Sequence, residues 1–357
     1  MMLKKFREKR YIAKHFKVAV PKLELTITRI RNSSDILVIV PTTTGGNWYG
    51  VNVATKNLFP NSIFEIPQYY SNCIYSSVEL GQICKTISTH QFKKIIFSGF
   101  PLYFSKIISE LNAQTAGSCD ISIIDHGSFS EYFGKNDLFI RMKEYENLHR
   151  NSCIHKIGFL KHGIAEFISK RYDIPSMELL NKTTLAGREI PANGNQKKIH
   201  IGVFGNHSFN KNVFNQAMAG LLIKDAVIHV LNYSNIFDNF DERIIVHPFF
   251  SDREKFFELM GRMSVNMHLS FSEAYPQLVV ESMALGVPCL STRNNGIFEY
   301  DDFLEERLIV QQYDNPVAIA EKIESVLKER DAISLKCRDY TQKLNQIADD
   351  KLKIFIS

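Results

Sequence analysis

The stretch SFSEAYPQLVVESMALGVPCLS, residues 270–291, decides the fold because it joins a strand end, a loop and a helix start. Glu273 lies in the loop, and Glu281 lies in the helix behind it. Pro276 suits the first position of a helix, where its missing N–H breaks no hydrogen bond, and Gly286 suits the helix end. A strand, a loop and a helix in this order form the repeating unit of a parallel α/β sheet.

The same order recurs along the chain. Apolar, β-branched runs alternate with longer segments of helical spacing, such as WYGVNVATKNLF (48–59) and REKFFELMGRM (253–263). This alternation predicts βαβ units and parallel sheets that helices cover on both faces. The predicted strands are DILVIVP, KKIIFSG, DISIID and CIHKIGF in the first half, and IHIGVFG, AVIHVLN, RIIVHPF, VNMHLSF and RLIV (307–310) in the second.

Composition divides the chain into two α/β domains. Its 357 residues, 45% of them hydrophobic, are enough for more than one core. The segment 183–198 has no apolar period and predicts a linker. We therefore expect a first doubly wound domain over 32–182, a second over 199–330, and a cleft between them. A helix over 331–357 is expected to pack back towards the first domain.

Positive charge is concentrated in a leader, residues 1–31. It holds ten Lys and Arg residues but only two Glu, an excess larger than the net charge of +5 of the whole chain. Interleaved aromatic residues fit a segment that lies on an anionic membrane surface, and a solvated, partly disordered leader is the alternative. Because the charge is confined to one end and no recognition motif follows it, nucleic acid is not an expected partner.

Other features of the sequence favour the cytoplasm. The six cysteines are scattered without a C-x-x-C pair, which argues against a disulfide framework and a structural zinc site. No apolar run is long enough for a signal peptide or a membrane span. The close acids of DNFDE (238–242) lack the context of a metal–nucleotide site and predict a solvated turn, so we expect no metal site and no cofactor.

The helix start within the opening stretch predicts a phosphate-binding site. The amides of Gln277, Leu278 and Val279 are first-turn donors at the carboxyl edge of a parallel sheet, where such sheets bind ligands. A carboxylate fits beside a phosphate only if it has other partners, and sugar hydroxyls are such partners. We expect Glu273 to accept hydrogen bonds from a hexose and Glu281 to accept them from a ribose.

The stretch resembles the signature S-x-x-E-x-x-P-x-x-x-x-E-x-x-A-x-G-x-P of family 4 glycosyltransferases, most specifically over residues 200–330. The resemblance implies a GT-B fold of two Rossmann-like domains, and transfer of a sugar from a nucleotide donor with retention of configuration. It is weaker over 36–130 and leaves the leader out. The matching positions are Ser270, Glu273, Pro276, Glu281, Ala284, Gly286 and Pro288, followed by Gly296 and Glu299.

The resemblance carries roles onto residues of the second domain. Glu273 matches a glutamate that contacts the donor sugar, and Glu281 matches one that binds the ribose. The segment GNHSFNKN, which begins at Gly205, matches the family element G-R-x-x-x-x-K-G. Lys211 therefore falls on the lysine that neutralises the diphosphate.

Two positions of that element depart from the family. The arginine position is Asn206, and the glycine after the lysine is Asn212. One of the two usual phosphate cations is therefore missing. Arg293, in the loop after the quoted stretch, is a candidate replacement.

The first domain has two matching features. Gly45 and Gly46 match a glycine loop that brings donor and acceptor close to backbone amides. His126 follows the predicted strand DISIID, near the place where a family histidine touches the transferred sugar. A structural histidine and an ordinary turn are the alternatives at these positions.

Together these features predict a metal-independent, retaining glycosyltransferase with Glu273, Lys211 and His126 as its catalytic residues. Its partners would be a nucleotide-sugar donor and a glycan or lipid-linked acceptor. The residue usage looks bacterial, which favours lipopolysaccharide or capsule assembly at the inner face of the cytoplasmic membrane. The alternatives are a non-catalytic nucleotide-sugar or glycan-binding protein and another GT-B enzyme such as a sugar-nucleotide epimerase.

Overall fold

The computed structural model describes residues 20–43, 48–69, 72–132, 137–187, 198–232, 235–250 and 252–357. Gly45 and Gly46 lie outside the described residues, and so does the leader up to residue 19. The chain forms two compact units. The first contains the described residues up to Asn181 together with Asp349–Ser357, and the second is Lys182–Ala348.

The first unit is built on a seven-stranded sheet with the order β3-β2-β1-β4-β5-β6-β7. Its strands are β1 (Ile36–Thr43), β2 (Ile63–Tyr69), β3 (Asn72–Cys73), β4 (Lys94–Ser98), β5 (Asp120–Asp125), β6 (Lys156–Phe159) and β7 (Ser176–Glu178). All neighbouring strands are parallel except β2 and β3. The helices are Val20–Ser33, Tyr49–Leu58, Ser77–Thr89, Phe104–Gln114, Asp137–Arg150 and Ile164–Tyr172.

Local sequence explains why these elements form. All five residues of β4 are buried, as expected for a strand that helices cover on both faces. The helix Ser77–Thr89 begins with a capping box, in which Ser76 Oγ accepts from the Glu79 amide and the Glu79 carboxylate accepts from the Ser76 amide. The two side chains thus satisfy donors that a helix start leaves unpaired.

The end of the predicted leader is part of the first unit. Residues Val20–Ser33 form a helix whose Leu23, Ile27 and Ile30 are at most 5% exposed and belong to the core of that unit. Their spacing of four and three residues places them on one helix face. The prediction of a separate leader over 1–31 is therefore wrong for residues 20–31.

The second unit is built on a five-stranded parallel sheet with the order β10-β9-β8-β11-β12. Its strands are β8 (Ile199–Val203), β9 (Ala226–Leu231), β10 (Ile244–His247), β11 (Val265–His268) and β12 (Cys289–Ser291). The helices are Val213–Leu222, Arg253–Gly261, Gln277–Ala284, Asp302–Leu308, Pro316–Lys328 and the long Arg330–Ile356, which ends in the first unit. The prediction of two parallel-sheet α/β domains is confirmed.

One predicted strand of this unit is wrong. The segment RLIV (307–310) begins inside the helix Asp302–Leu308, and only Ile309 forms an isolated bridge, to Ser291. The helix is fixed at its start, because Asp301 accepts a hydrogen bond from the Leu304 amide at 3.1 Å.

The described part of the predicted linker packs into the second unit. Thr183 and Leu185 are 3% and 2% exposed. Thr183 exchanges two hydrogen bonds with the side chain of Asn345, at 3.0 and 2.8 Å. Residues 183–187 therefore belong to the fold of this unit, and residues 188–197 lie outside the described residues.

The end of the chain packs on the first sheet. Phe355 is fully buried, and the buried Lys94 of β4 donates to the Ile356 carbonyl at 2.7 Å. Lys94 also pairs with Asp120 of β5 at 2.8 Å. A lysine at a helix C-terminus interacts favourably with the helix dipole and with an unpaired carbonyl. No described helix combines the length and the apolarity that a membrane crossing needs.

Three histidines form a hydrogen-bonded ladder across β8, β9 and β10. Nδ1 of His200 lies 2.8 Å from Nε2 of His229, and Nδ1 of His229 lies 2.8 Å from Nε2 of His247. His229 is 6% exposed, and burial lowers its pKa to about 4. The ladder is therefore neutral near pH 7, with each shared proton lying between two rings.

Candidate functional site

The second sheet changes its winding direction between β8 and β11. In sequence β9 and β10 extend the sheet on one side of β8, whereas β11 and β12 lie on the other side. The loops after β8 and β11 leave the sheet at the same carboxyl edge, at a switch point where open α/β sheets bind ligands. These loops carry Lys211 and Glu273.

A buried side chain holds the two loops in place. Gln216, which is 1% exposed, donates to the Lys211 carbonyl at 2.8 Å and accepts from the Leu269 amide at 3.1 Å. The amide of Phe271 also donates to the Asn210 carbonyl at 2.8 Å. Lys211 is thus fixed relative to the loop that carries the glutamate.

Asn212 has a backbone conformation that favours glycine, the residue that the similar motif has at this position. Its φ of +53° lies in the left-handed region, which asparagine tolerates better than most residues. Its side-chain amide donates to the carbonyls of Leu269 and Tyr313, at 3.1 and 2.6 Å. Asparagine therefore fits the turn after Lys211, and its side chain makes two hydrogen bonds there.

Lys211, Glu273 and His268 form a buried cluster. The Lys211 ammonium donates to the Glu273 carboxylate, and His268 Nε2 lies 3.0 Å from the same oxygen. Burial opposes ionisation of Glu273, but the hydrogen bond from His268 and the charge of Lys211 outweigh it and lower the pKa to about 2. The cluster therefore holds a carboxylate and a cation side by side at neutral pH.

The helix Gln277–Ala284 begins shortly after Glu273 in the sequence. The amides of Gln277 and Leu278 make no hydrogen bond within the described residues, whereas the Val279 amide donates to the Pro276 carbonyl at 3.2 Å. The expectation of three unpaired amides is therefore wrong for Val279. Both side-chain amide atoms of Gln277 are buried and also have no partner within the described residues.

The helix ends as its sequence predicts. Gly286 has a φ of +72°, and a Cβ on it would collide with the guanidinium of Arg338. Glycine is the residue that fits both conditions. Ser282 also donates to the Val287 carbonyl at 2.9 Å, which closes the turn.

Glu281 is buried in the second turn of this helix and pairs with Arg253. It is 3% exposed, and Arg253 Nη2 donates to Oε1 of its carboxylate. Burial raises the pKa of Glu281 to about 7, although the charge and the hydrogen bond of Arg253 act in the opposite direction. The pKa of Glu273 thus lies below the usual value of a glutamate, and the pKa of Glu281 lies above it.

The other predicted residues of the second unit lie around this site. A Cβ on Gly205 would lie 3.1 Å from Val213 Cγ2, so the loop is tight at this position. Asn206 is exposed, and its side-chain oxygen accepts from the Ser208 amide at 3.1 Å. Arg293 is 68% exposed and pairs with Glu305 at 2.8 Å. Its guanidinium is thus held by a carboxylate in this structure.

His126 lies in the first unit, at the end of β5. Its Nε2 lies 2.9 Å from Ser98 Oγ, and burial lowers its pKa to about 4 against the opposing charge of Asp125. The two glycines predicted to bind the donor and the acceptor, Gly45 and Gly46, lie outside the described residues. The segment DNFDE forms a turn between β9 and β10, as predicted, where Asp241 pairs with Arg243 at 3.3 Å.

Three residues of the site were not predicted from the sequence. His268 carried the same signal as His126, a histidine at the carboxyl end of a predicted strand. Gln216 carried a weaker one, a glutamine within the otherwise apolar helix Val213–Leu222. Arg253 carried none, because its contact with Glu281 joins helices that are distant in sequence.

Part of the chain is similar to a known protein family. Residues 239–344 match the family described as Glycosyl transferases group 1. This range includes Glu273, Glu281 and Arg253 but not Lys211. No curated protein sequence matches the chain.

Several solved structures share the fold. A sucrose-phosphate synthase from Thermosynechococcus elongatus superimposes with a TM-score of 0.64 at 12% identity, over 89% of this chain and 98% of the other. A UDP-forming α,α-trehalose-phosphate synthase from Burkholderia xenovorans gives 0.56 at 11% identity, over 90% and 98%. The lipopolysaccharide outer core galactosyltransferase WaaB gives 0.54 at 12% identity, over 88% and 97%. At these identities the likeness shows the fold alone.

The predicted fold and enzyme class are confirmed. The chain has the two parallel-sheet domains of a GT-B glycosyltransferase and carries a glycosyl transferases group 1 domain. It is therefore a glycosyltransferase. The roles of individual site residues remain predictions.

Proposed function

We propose that the protein is a retaining glycosyltransferase that moves a sugar from a nucleotide-sugar donor to a glycan or lipid-linked acceptor without a metal ion. The cluster of Lys211, Glu273 and His268 at the switch point of the second sheet is the observation that supports this proposal. It offers a cation for a diphosphate and an ionised carboxylate for a sugar hydroxyl.

Stabilisation of the leaving group would carry most of the catalysis. As the bond between the sugar C1 and the diphosphate oxygen breaks, negative charge develops on the diphosphate. The amides of Gln277 and Leu278 are fixed donors for that charge, and Lys211, whose backbone is held by Gln216, would turn its ammonium from Glu273 to the diphosphate when the donor binds. In this proposal they take the place of a divalent cation.

The two glutamates would hold the two sugars of the donor. Glu273 would accept hydrogen bonds from hydroxyls of the transferred hexose, since its low pKa keeps it ionised. Glu281 would accept from the ribose diol, with Arg253 fixing the orientation of its carboxylate. The ribose hydroxyls would also favour the ionised form of Glu281 by hydrogen bonding.

The acceptor would attack C1 on the face that the diphosphate leaves, which retains the anomeric configuration. The acceptor oxygen forms the new bond to C1, and a phosphate oxygen of the leaving group takes the acceptor proton. We propose that His126, Gly45 and Gly46 also contribute to this step. These assignments follow the resemblance to family 4 glycosyltransferases.

The proposed setting is a bacterial cytoplasm, at the inner face of the membrane. The basic residues that precede the first helix would bind anionic lipid and bring the enzyme to a lipid-linked acceptor of lipopolysaccharide or capsule assembly. Removal of residues 1–19 should abolish sedimentation with vesicles of phosphatidylglycerol. Retained sedimentation would contradict the membrane assignment and leave the transferase assignment unaffected.

A second candidate is a non-catalytic nucleotide-sugar or glycan-binding protein. The exposed Asn206, which replaces a family arginine, favours it because one phosphate cation is missing. The ion pair of Lys211 and Glu273 favours the enzyme, because it supplies the cation and the carboxylate that the proposed transfer uses. A sugar-nucleotide epimerase is less well supported, since the resemblance implies a different carboxylate arrangement for such enzymes.

Turnover distinguishes these candidates. The purified protein would be incubated with UDP-, GDP- and ADP-sugars in EDTA while the release of nucleoside diphosphate is followed. We expect release from one nucleotide class, loss of release in Glu273→Gln, and unchanged release in the exposed control Glu258→Gln. With water as the acceptor, NMR of the sugar first released should show, before mutarotation, the anomeric configuration of the donor. Binding without any release would support the non-catalytic candidate.

A further inference from the structure

A chain of buried hydroxyls ends at His126. Thr55 and Ser98 are both 0% exposed. Thr55 Oγ1 donates to the Val51 carbonyl at 2.7 Å and lies 2.6 Å from Ser98 Oγ, which in turn lies 2.9 Å from His126 Nε2. Ser98 is the last residue of β4, so these hydrogen-bonded hydroxyls lie at the carboxyl edge of the first sheet.

The carbonyl of Val51 fixes the direction of every hydrogen bond in this chain. A carbonyl only accepts, and each hydroxyl has a single proton to donate. The Thr55 proton points to Val51, so Ser98 must donate to Thr55. The Ser98 proton is then used, so His126 must donate its Nε2–H to Ser98. The opposite direction would leave two oxygens 2.7 Å apart without a proton between them.

The imidazole of His126 is thereby held in one tautomer. Its low pKa keeps the ring neutral at pH 7, so a proton on Nε2 leaves Nδ1 as an acceptor. Nδ1 makes no hydrogen bond within the described residues, and the side chain is only partly buried. The ring therefore offers one fixed acceptor to a ligand.

The neighbouring carboxylate does not take part. Asp125 accepts from Tyr145 at 2.5 Å, from the Gly127 amide at 2.8 Å and from Arg141 at 3.3 Å. No hydrogen bond joins Asp125 to His126 among the described residues. His126 is thus oriented by hydroxyls and not by an acid, as it would be in a catalytic triad.

We infer that Thr55 and Ser98 are positioning residues, which fix His126 as a hydrogen-bond acceptor for a neutral hydroxyl of the substrate. A carboxylate or a phosphate at that place would meet a lone pair instead of a proton and is disfavoured. The inference deepens the proposed function, because it selects neutral hexoses over uronic acids as the sugar that His126 contacts. The tautomer itself follows from the hydrogen bonds alone.

The test is ¹⁵N NMR of histidine-labelled protein without ligand, with the His126 signals assigned by their loss in His126→Gln. We expect a protonated Nε2 and an unprotonated Nδ1 between pH 6 and 8. In Thr55→Val the Ser98 proton loses its acceptor and turns to His126, so the proton of the ring should move to Nδ1. Thr55→Ser should restore the wild-type spectrum.

Two NMR results would overturn the inference. One is a proton on Nδ1 in the wild type, and this needs no variant to fold. The other is an unchanged tautomer in a folded Thr55→Val. Loss of the Nε2–H hydrogen-bond signature in Ser98→Ala gives an independent check of the same chain.

Activity gives a second readout. We expect Thr55→Val to lower kcat/KM for a hexose donor about tenfold, the size of one hydrogen bond, and to lower it less for the matching uronic acid donor. A wild-type preference for the uronic acid donor would overturn the selectivity. Absence of turnover with every donor would contradict the proposed function, and the NMR spectrum would still decide the role of the hydroxyls.

Discussion

Lys211 and Glu273 form an ion pair between the loops that follow two neighbouring strands of the second sheet, β8 and β11. Their side chains are 15% and 11% exposed. Neither charge can be removed alone without leaving the other poorly solvated. The same two side chains are predicted to separate around a donor, one to its diphosphate and the other to its sugar.

Double replacement of this pair should destabilise the protein less than single replacement does. We expect Lys211→Met to reduce the free energy of unfolding by about 3 kcal/mol, because it leaves a buried carboxylate with His268 as its remaining partner. Lys211→Met combined with Glu273→Gln should recover most of that loss. Calorimetric melting would measure both, with the exposed Lys224→Met as control. A double variant no more stable than the single one would contradict the coupling.

Nucleotide binding should depend on pH through Glu281. With a pKa of about 7 the carboxyl is mostly protonated at pH 6 and mostly ionised at pH 8, so affinity for a nucleoside diphosphate should rise about tenfold over this range. Glu281→Gln should bind weakly at every pH. Titration calorimetry at several pH values would measure the slope, with Glu258→Gln as control.

The same pKa has a consequence for stability. The folded-state pKa of Glu281 lies above the unfolded value, so its contribution to folding is present below about pH 4.5 and is lost as the pH rises through about 7. Glu281→Gln should therefore be more stable than the wild type above pH 8 and should gain nothing at pH 5. Equal stability differences at both pH values would contradict the burial argument.

Restoring the missing cation should strengthen donor binding. Asn206 is exposed at the position of the family arginine, so Asn206→Arg can be accommodated and should add a charged hydrogen bond to the diphosphate. We expect the dissociation constant for the nucleoside diphosphate to fall about tenfold. The control is Asn206→Gln, which also loses the hydrogen bond to the Ser208 amide but adds no charge. Equal affinity of the two variants would place the diphosphate elsewhere.

The histidine ladder should make the second unit sensitive to acid. His229 has a folded-state pKa of about 4, below its usual value of 6.5, so its contribution to folding is present above pH 6.5 and is lost as the pH falls towards 4. We expect the melting temperature to fall over this range and to fall less steeply in His229→Gln. His155→Gln, at an exposed site, should keep the wild-type slope. Parallel slopes in all three proteins would contradict a role of the ladder.

The sequence was sufficient for the local structure of the quoted stretch. The helix start after Pro276 and the helix end at Gly286 were predicted from their spacing, and both are present. The roles of Glu273 and Glu281 stay predictions, and so does that of Lys211, which the resemblance of a separate segment suggested. The structure adds that Asn212 has a left-handed backbone conformation, which asparagine adopts more readily than most residues.

The sequence was insufficient where a contact joins distant segments. Arg253 contacts Glu281 from another helix, and no local sequence pattern predicts a contact between these two helices. The helix at the end of the leader was missed because the leader was defined by its basic residues. The apolar spacing of Ile27 and Ile30, which indicates a helix face, was not taken into account. The wrong strand at 307–310 has a local cause. The cap at Asp301 starts a helix that runs to Leu308, and the β-branched residues Ile309 and Val310 follow only after it.

The central claim is that the loops after β8 and β11 and the helix Gln277–Ala284 bind a nucleotide-sugar. Titration calorimetry of the folded protein with UDP-, GDP- and ADP-sugars in EDTA, for the wild type, Glu281→Gln and Glu258→Gln, tests it most directly. We predict that one nucleotide class binds, that Glu281→Gln weakens it at least about tenfold, and that Glu258→Gln leaves it unchanged. Binding of no nucleotide-sugar, or equal binding by Glu281→Gln, would contradict the claim.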